Sequence, residues 1–495
     1  MKREYDVVIV GSGAGGGTVA DRLIPLARAG ARIAVLEAGP HFTREYFTQR
    51  EIEMMGLLWH NGAWPVEDGS ITLAAGKGVG GSTIMYTGVT FRLPDAVCVE
   101  WNVPGITPDE LRPRFERLER ELNVIEPGED MVNDNNRLFK EGCDQLGWPV
   151  EKIRLNLKDC DQNGFCNLGC TTGGKQGTME LQIPRAVAAG IELVPNCEVD
   201  RVNEGSVSAT VRPAPAGTVP GPWPPGKAEL KARAVVLAAG CPGTTGIMMR
   251  SGMDDLPLLG RYITMHPALT VYGIYPRAIK NYRGFPKTYY TPKFSLSHGY
   301  YIETAFYYPF ISTKHLGLWG QDLKETMKAY TRFMTQIVLN HDPATADNRV
   351  VIAKNGALKL RYKIAPETVS SLCHAQAQAT RIFFAAGCEQ VIMPCADRPI
   401  FKAGEVADEK LEQFITPKNF LSVKTPLSSA HPQGGCRMGA GPDHSVTDPL
   451  GRVHGRPWLH VADASLFPSS SHVNPYLTIM ALAERVAEQV AKALP

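Results

Sequence analysis

The sequence predicts an α/β Rossmann-like domain interleaved with an α+β domain, the latter an antiparallel sheet backed by helices. Three observations predict it. YDVVIVGSGAGGGTVADRL near the N-terminus is an apolar strand that runs into Gly11, Gly13 and Gly16 and then an amphipathic helix-like stretch. ARAVVLAAGCPGTTGIMMRSG repeats the order of strand, glycines (Gly240, Gly243) and helix. Between it and the C-terminus, KTYYTPKF and HGYYIETAFYYPF alternate aromatic and polar residues as sheet strands do, and LKETMKAYTRFMTQIV reads as a helix.

Each element has a physical reason. Gly11 allows the tight turn after the first strand, Gly13 removes the side chain that would block a pyrophosphate, and Gly16 lets helix and strand approach closely. The helix N-terminus then faces the phosphates. The second strand, ARIAVLEAG, ends in Glu37, 26 residues past Gly11, near the distance at which a carboxylate hydrogen bonds an adenosine ribose. AAGKGVGGSTIMYTG follows, where Gly76, Gly78, Gly80, Gly81 and Ser82 offer closely approaching amides and a hydroxyl to a second face of the cofactor. Taken alone, the turn at Gly240 and Gly243 reads as an ordinary strand-to-helix connection.

In this order, with GRYITMHP at 260–267, HPQGGCRMG from His431, RVHGRPWLHVADASLFP and HVNPYLTIMALAER, the segments resemble the glucose-methanol-choline (GMC) oxidoreductase family of FAD enzymes that oxidise alcohols. The resemblance covers most of the chain. It implies FAD contacts from Gly11, Gly13, Gly16, Glu37, Gly78, Gly81, Ser82, Val199, Gly240, Asp463, Asn474 and Pro475. Tyr86 stands where the family usually has Asn or His, so no histidyl-flavin bond is implied.

Composition agrees with this class. A chain of 495 residues exceeds the size at which one core stops growing, so two domains are expected. Residues 1–40, 71–95, 178–265 and 425–495 are expected to form the discontinuous FAD domain, 41–70 a cover over the flavin, and 96–177 with 266–424 the substrate domain. Lys and Arg number 52 against 50 Asp and Glu, a net charge of +2, which favours neither a nucleic-acid nor an acidic partner. No run of about 18 apolar residues predicts a membrane span, and the N-terminal apolar run is a strand instead of a signal segment. A cytoplasmic location is expected. APAGTVPGPWPPGKA at 214–228 reads as a hairpin connection or surface excursion.

Alcohol oxidation needs a base for the hydroxyl proton and an acceptor for the carbon-bound hydride. FAD supplies the acceptor at N5, and a neutral imidazole suits the base. The resemblance pairs His431 with Asn474 across the flavin, His431 as base and Asn474 orienting the substrate oxygen. His472 lies two residues before Asn474, on the same side of an extended segment, and ranks second as base. Asn474-Pro475 is expected to open the last helix. His266, His444, His454 and His460 are read as structural.

Of 11 cysteines, Cys160, Cys166 and Cys170 cluster in KDCDQNGFCNLGCTTGGK, the ferredoxin spacing C-x2-C-x2-C-x3-C with Asn163 in the second place. The segment resembles cluster-containing FAD glucose dehydrogenase subunits and long-chain alcohol oxidases. Three thiolates so spaced can hold a [3Fe-4S] cluster that passes electrons to an acceptor protein or small subunit; a reduced structural loop, a disulfide and a zinc site are the alternatives. The expected activity is an FAD-dependent alcohol dehydrogenase. An oxygen-using alcohol oxidase and an electron-transfer flavoprotein subunit of a larger complex stand as alternatives.

Overall fold

The computed structural model describes residues 2–59, 64–420 and 424–494. Residues 60–63 of the expected cover therefore lie outside the described residues. The first sheet is parallel at its centre, where the strand Lys2–Val10 lies between Ile33–Leu36 and Gly226–Leu237. Glu192–Val194 and Leu459–Val461 extend the parallel set on the two sides. These strands read as continuous apolar runs because helices cover the sheet, and Val7, Val8, Ile9, Val235, Val236 and Leu237 are all fully buried. The helices Ala14–Arg22 and Tyr476–Ala493 pack against each other. Residues 214–225 connect the antiparallel strands Ser206–Val211 and Gly226–Leu237.

Among the described residues the second sheet has ten strands and is mainly antiparallel, with Ala268–Ile274, Phe333–Asn340, Tyr300–Thr304 and Tyr289–Thr291 side by side. The helix Pro366–Ala385 packs against Phe333–Asn340 and Ala268–Ile274, and Asp134–Gln145 packs on that helix. Ile71–Leu73 and Leu427–Ser429, from segments expected in the first domain, pair with each other in this second sheet. The helix Pro108–Glu121, expected in the substrate domain, packs on Tyr476–Ala493, where Glu484 receives Arg22 at 2.6 Å and Arg117.

One predicted element differs. LKETMKAYTRFMTQIV splits into a helix, Gly320–Met327, and a strand, Phe333–Asn340. Seven of the strand's eight residues are buried, so core and solvent faces are not distinguished by sequence and a helical period can be read into a strand.

Candidate active site

Two glycine loops form a cradle. Gly11 has φ +99°, and a Cβ there would lie 2.3 Å from the Ala238 carbonyl oxygen. Gly81, at φ +52°, would place a Cβ 2.7 Å from the Cα of Gly13, so the two loops abut backbone to backbone. A Cβ on Gly13 would meet only that neighbour, at 3.7 Å, and would stand in the open space before the helix N-terminus. Such a gap suits the pyrophosphate of FAD. Gly78 (φ +154°) belongs to the same turn, and the Ser82 hydroxyl accepts the Gly76 N–H at 3.0 Å.

Glu37 stands at the end of its strand, buried, and binds protein groups. Its carboxylate accepts the Ser12 N–H at 3.0 Å, the Ser12 hydroxyl at 2.7 Å and the Gly39 N–H at 2.8 Å. Ser12 in turn accepts the Gly80 N–H at 3.0 Å, tying both loops to the acid. Ser12 was invisible to motif reading because its role depends on three separate segments. Burial raises the Glu37 carboxyl pKa despite these donors. Asp463 is similar: it accepts the Gly240 N–H at 2.9 Å, Thr244 at 2.5 Å and the Ser465 N–H at 2.8 Å, and so anchors the start of the helix Cys241–Arg250. Val199 is buried in the strand Cys197–Asn203.

His431 is brought to His266 by direct pairing of their segments, Thr264 and Gln433 exchanging N–H···O bonds of 2.9 Å both ways. Their Nδ1 atoms are 3.0 Å apart, with rings edge to face. Burial, followed by the charge of Lys287, lowers the His431 pKa from 6.5 to about 3, and burial holds His266 well below its usual value. Both imidazoles are neutral at ordinary pH. His266, read as structural from sequence, is therefore a direct partner of the candidate catalytic histidine.

Of this pair, His266 and not His431 lines a cavity of about 190 Å³. His472 and Asn474 also line it, together with Phe91, Tyr290, Tyr301 and Glu303. His472 has the left-handed φ of +58°, unusual outside glycine, and its ring stacks on His341 at 3.7 Å. Burial lowers its pKa. Asn474 and Pro475 directly precede the helix Tyr476–Ala493, with Pro475 at its cap. Glu303 is paired in the interior with Lys287 at 2.6 Å.

Comparison with known proteins follows the same lines. Two profiles described as GMC oxidoreductase match residues 5–268 and 344–483. The chain belongs to the GMC oxidoreductase family. It is 31% identical over 497 residues to an uncharacterised GMC-type oxidoreductase of Mycobacterium tuberculosis, covering 98% of this chain and 76% of that one. It is 27% identical over 528 residues to a long-chain-alcohol oxidase of Arabidopsis thaliana, covering 100% and 69%. The solved structure of a pyridoxine 4-oxidase ("Mesorbium loti") superposes with a TM-score of 0.72 at 19% identity, covering 98% and 99%, a likeness of fold. This GMC protein is thus an oxidoreductase of a family that uses FAD on CH–OH groups.

The cysteine loop departs from the expectation of a metal centre. All 11 cysteines are free thiols, and among the described residues no three His, Cys, Asp or Glu side chains converge as metal ligands. Cys160 and Cys170 accept backbone N–H bonds of 3.4 Å from Gln162 and Lys175. Burial pushes the Cys166 thiol up to about 12. The buried Lys175 ammonium donates to the carbonyls of Ile84, Tyr86 and Cys166 at 2.9, 2.8 and 2.7 Å, pinning the loop to the glycine-loop segment. The arrangement of Cys160, Cys166 and Cys170 gives no support to the expected [3Fe-4S] cluster. Tyr86 accepts from Asn156 and packs edge-on to Tyr476 at 5.1 Å.

Proposed function

We propose that this GMC protein oxidises a compact alcohol to an aldehyde or ketone, bound FAD supplying the hydride acceptor. The observation that carries the reading is the neutral, hydrogen-bonded His266–His431 pair beside a cavity that also holds His472 and Asn474. The Asn474 amide can donate to a substrate oxygen and orient it as charge develops. His431 and His472 are the imidazoles available to hold or move the hydroxyl proton. Phe91, Tyr290 and Tyr301 give the cavity an aromatic lining, and Glu303 adds a polar group. At about 190 Å³ the cavity suits a small aromatic or polyfunctional alcohol better than an extended aliphatic one.

Dioxygen is the electron acceptor we favour. The Arabidopsis relatives are named as long-chain-alcohol oxidases.

Anaerobic mixing of the FAD-loaded protein with a panel of benzylic, cyclic and polyhydroxy alcohols tests the proposal. At least one should bleach the flavin absorbance, and air should restore it with one hydrogen peroxide per flavin. Bleaching by dithionite but by no alcohol would overturn the enzymatic reading and favour an electron-transfer subunit. Bleaching without reoxidation by air would overturn the oxidase assignment.

A further inference from the structure

We infer that Gln433, aided by Ser470, is a positioning residue that fixes the tautomer of the His266–His431 pair, with His431 carrying its proton on Nε2. The orientation of the Gln433 amide is set by two backbone groups. Its Oε1 accepts the Ser471 N–H at 2.8 Å, and its Nε2 donates to the His431 carbonyl at 3.3 Å. The same Nε2 is 3.2 Å from His266 Nε2 and can only donate to it. Ser470 Oγ accepts the His472 N–H at 3.2 Å and can turn its own hydrogen toward His266 Nε2, 3.0 Å away. The Gln433 amide can only donate and Ser470 can join it, so His266 Nε2 is the acceptor.

A neutral His266 must then hold its proton on Nδ1 and donate it to His431 Nδ1, 3.0 Å away. His431 Nδ1 is an acceptor, so the proton of neutral His431 lies on Nε2, the nitrogen turned away from His266. The opposite arrangement would point a His266 Nε2–H at the Gln433 amide, donor against donor.

The catalytic consequence rests on the alcohol-oxidation reading. With its proton on Nε2, His431 can offer a substrate oxygen only a hydrogen-bond donor and has no free lone pair for the hydroxyl proton. That proton passes to His472, which becomes imidazolium, as the carbon-bound hydride leaves for the acceptor and the C=O bond forms. His472 lines the cavity, and its ring nitrogens make no hydrogen bond among the described residues. This reverses the order of the two candidate bases drawn from sequence.

The tautomers are read directly by two-bond 1H–15N correlation on FAD-loaded protein labelled in histidine, with the His431 signals assigned through a His431→Gln variant. The expected spectrum has His431 protonated at Nε2 and His266 at Nδ1. Gln433→Glu, whose carboxylate accepts from His266 Nε2–H, should invert both. Should that variant fail to fold, Gln433→Met removes the donor and should give mixed tautomers. Wild-type His431 protonated at Nδ1, or tautomers unchanged in every folded Gln433 variant, would overturn the inference. This readout needs no turnover, so it stands apart from any failure to find an alcohol substrate. With a substrate in hand, His431→Gln should reduce flavin at least about 10-fold faster than His431→Ala, because an amide can still donate. Equal rates for the two would remove the donor role.

Discussion

Lowering the pH from 7 to 5 should destabilise this protein in part through His431, by an amount the structure sets. The folded chain keeps His431 neutral down to about pH 3, whereas the unfolded chain protonates it below its ordinary 6.5. Between those values the unfolded state binds more protons, so stability falls as pH falls from 6.5 toward 3. At pH 5 the gap to 6.5 is about 1.5 pH units, worth about 2 kcal/mol at 1.36 kcal/mol per unit. An unfolding entropy of about 2.1 cal/mol/K per residue over 495 residues is roughly 1 kcal/mol/K, so the loss corresponds to about 2 °C in Tm. Other groups titrate too, and the assay is therefore a difference. Thermal unfolding of wild type and His431→Gln, both saturated with FAD, is followed at pH 7 and pH 5. The variant should lose about 2 °C less than wild type. Equal losses would refute the argument that enclosure of this imidazole suppresses its protonation. The same shift predicts that alcohol-driven flavin reduction stays flat from pH 8 to 5 as far as His431 is concerned. An imidazole of ordinary pKa would be about 97% protonated at pH 5, so 15N signals of His431 moving to imidazolium values around pH 6.5 would count against the shift.

Three further outcomes are expected. Gly81→Ala forces a Cβ to 2.7 Å from the Gly13 backbone at a left-handed φ and should lower the flavin content of purified protein severalfold, measured as the absorbance ratio of flavin to protein. Lys175→Met strips the donor from three buried carbonyls and should cost about 3 kcal/mol or more, visible as a lower denaturation midpoint with iron content unaffected. Glu303→Leu leaves the buried Lys287 ammonium unpaired and should destabilise by about 3–5 kcal/mol, whereas Glu303→Leu with Lys287→Met should recover most of that stability; a double variant as unstable as the single would show that the pair is not what Glu303 supports.

The family and its central sheet were legible in the sequence because their requirements are local. Gly11 and Gly81 record positive φ values and contacts that no Cβ fits, and an apolar run before such a glycine is a strand whatever lies around it. His431, His472 and Asn474 were legible as candidates because they sit in short segments that travel with that fold. The reading failed where burial erased periodicity, as in Phe333–Asn340, and the spacing of Cys160, Cys166 and Cys170 did not by itself set the directions of their sulfurs.

Tertiary structure alone decided what the candidate residues meet. His266 lies 165 residues from His431, and only the pairing of Thr264 with Gln433 sets their Nδ1 atoms in contact. Ser12, Gln433 and Ser470 carry no signal in isolation, since serine and glutamine have many uses. Their roles arise from which donors and acceptors converge in a space closed to water, and that convergence is a property of chain segments remote in sequence. A residue type specifies what hydrogen bonds are available, and the fold specifies which of them are made.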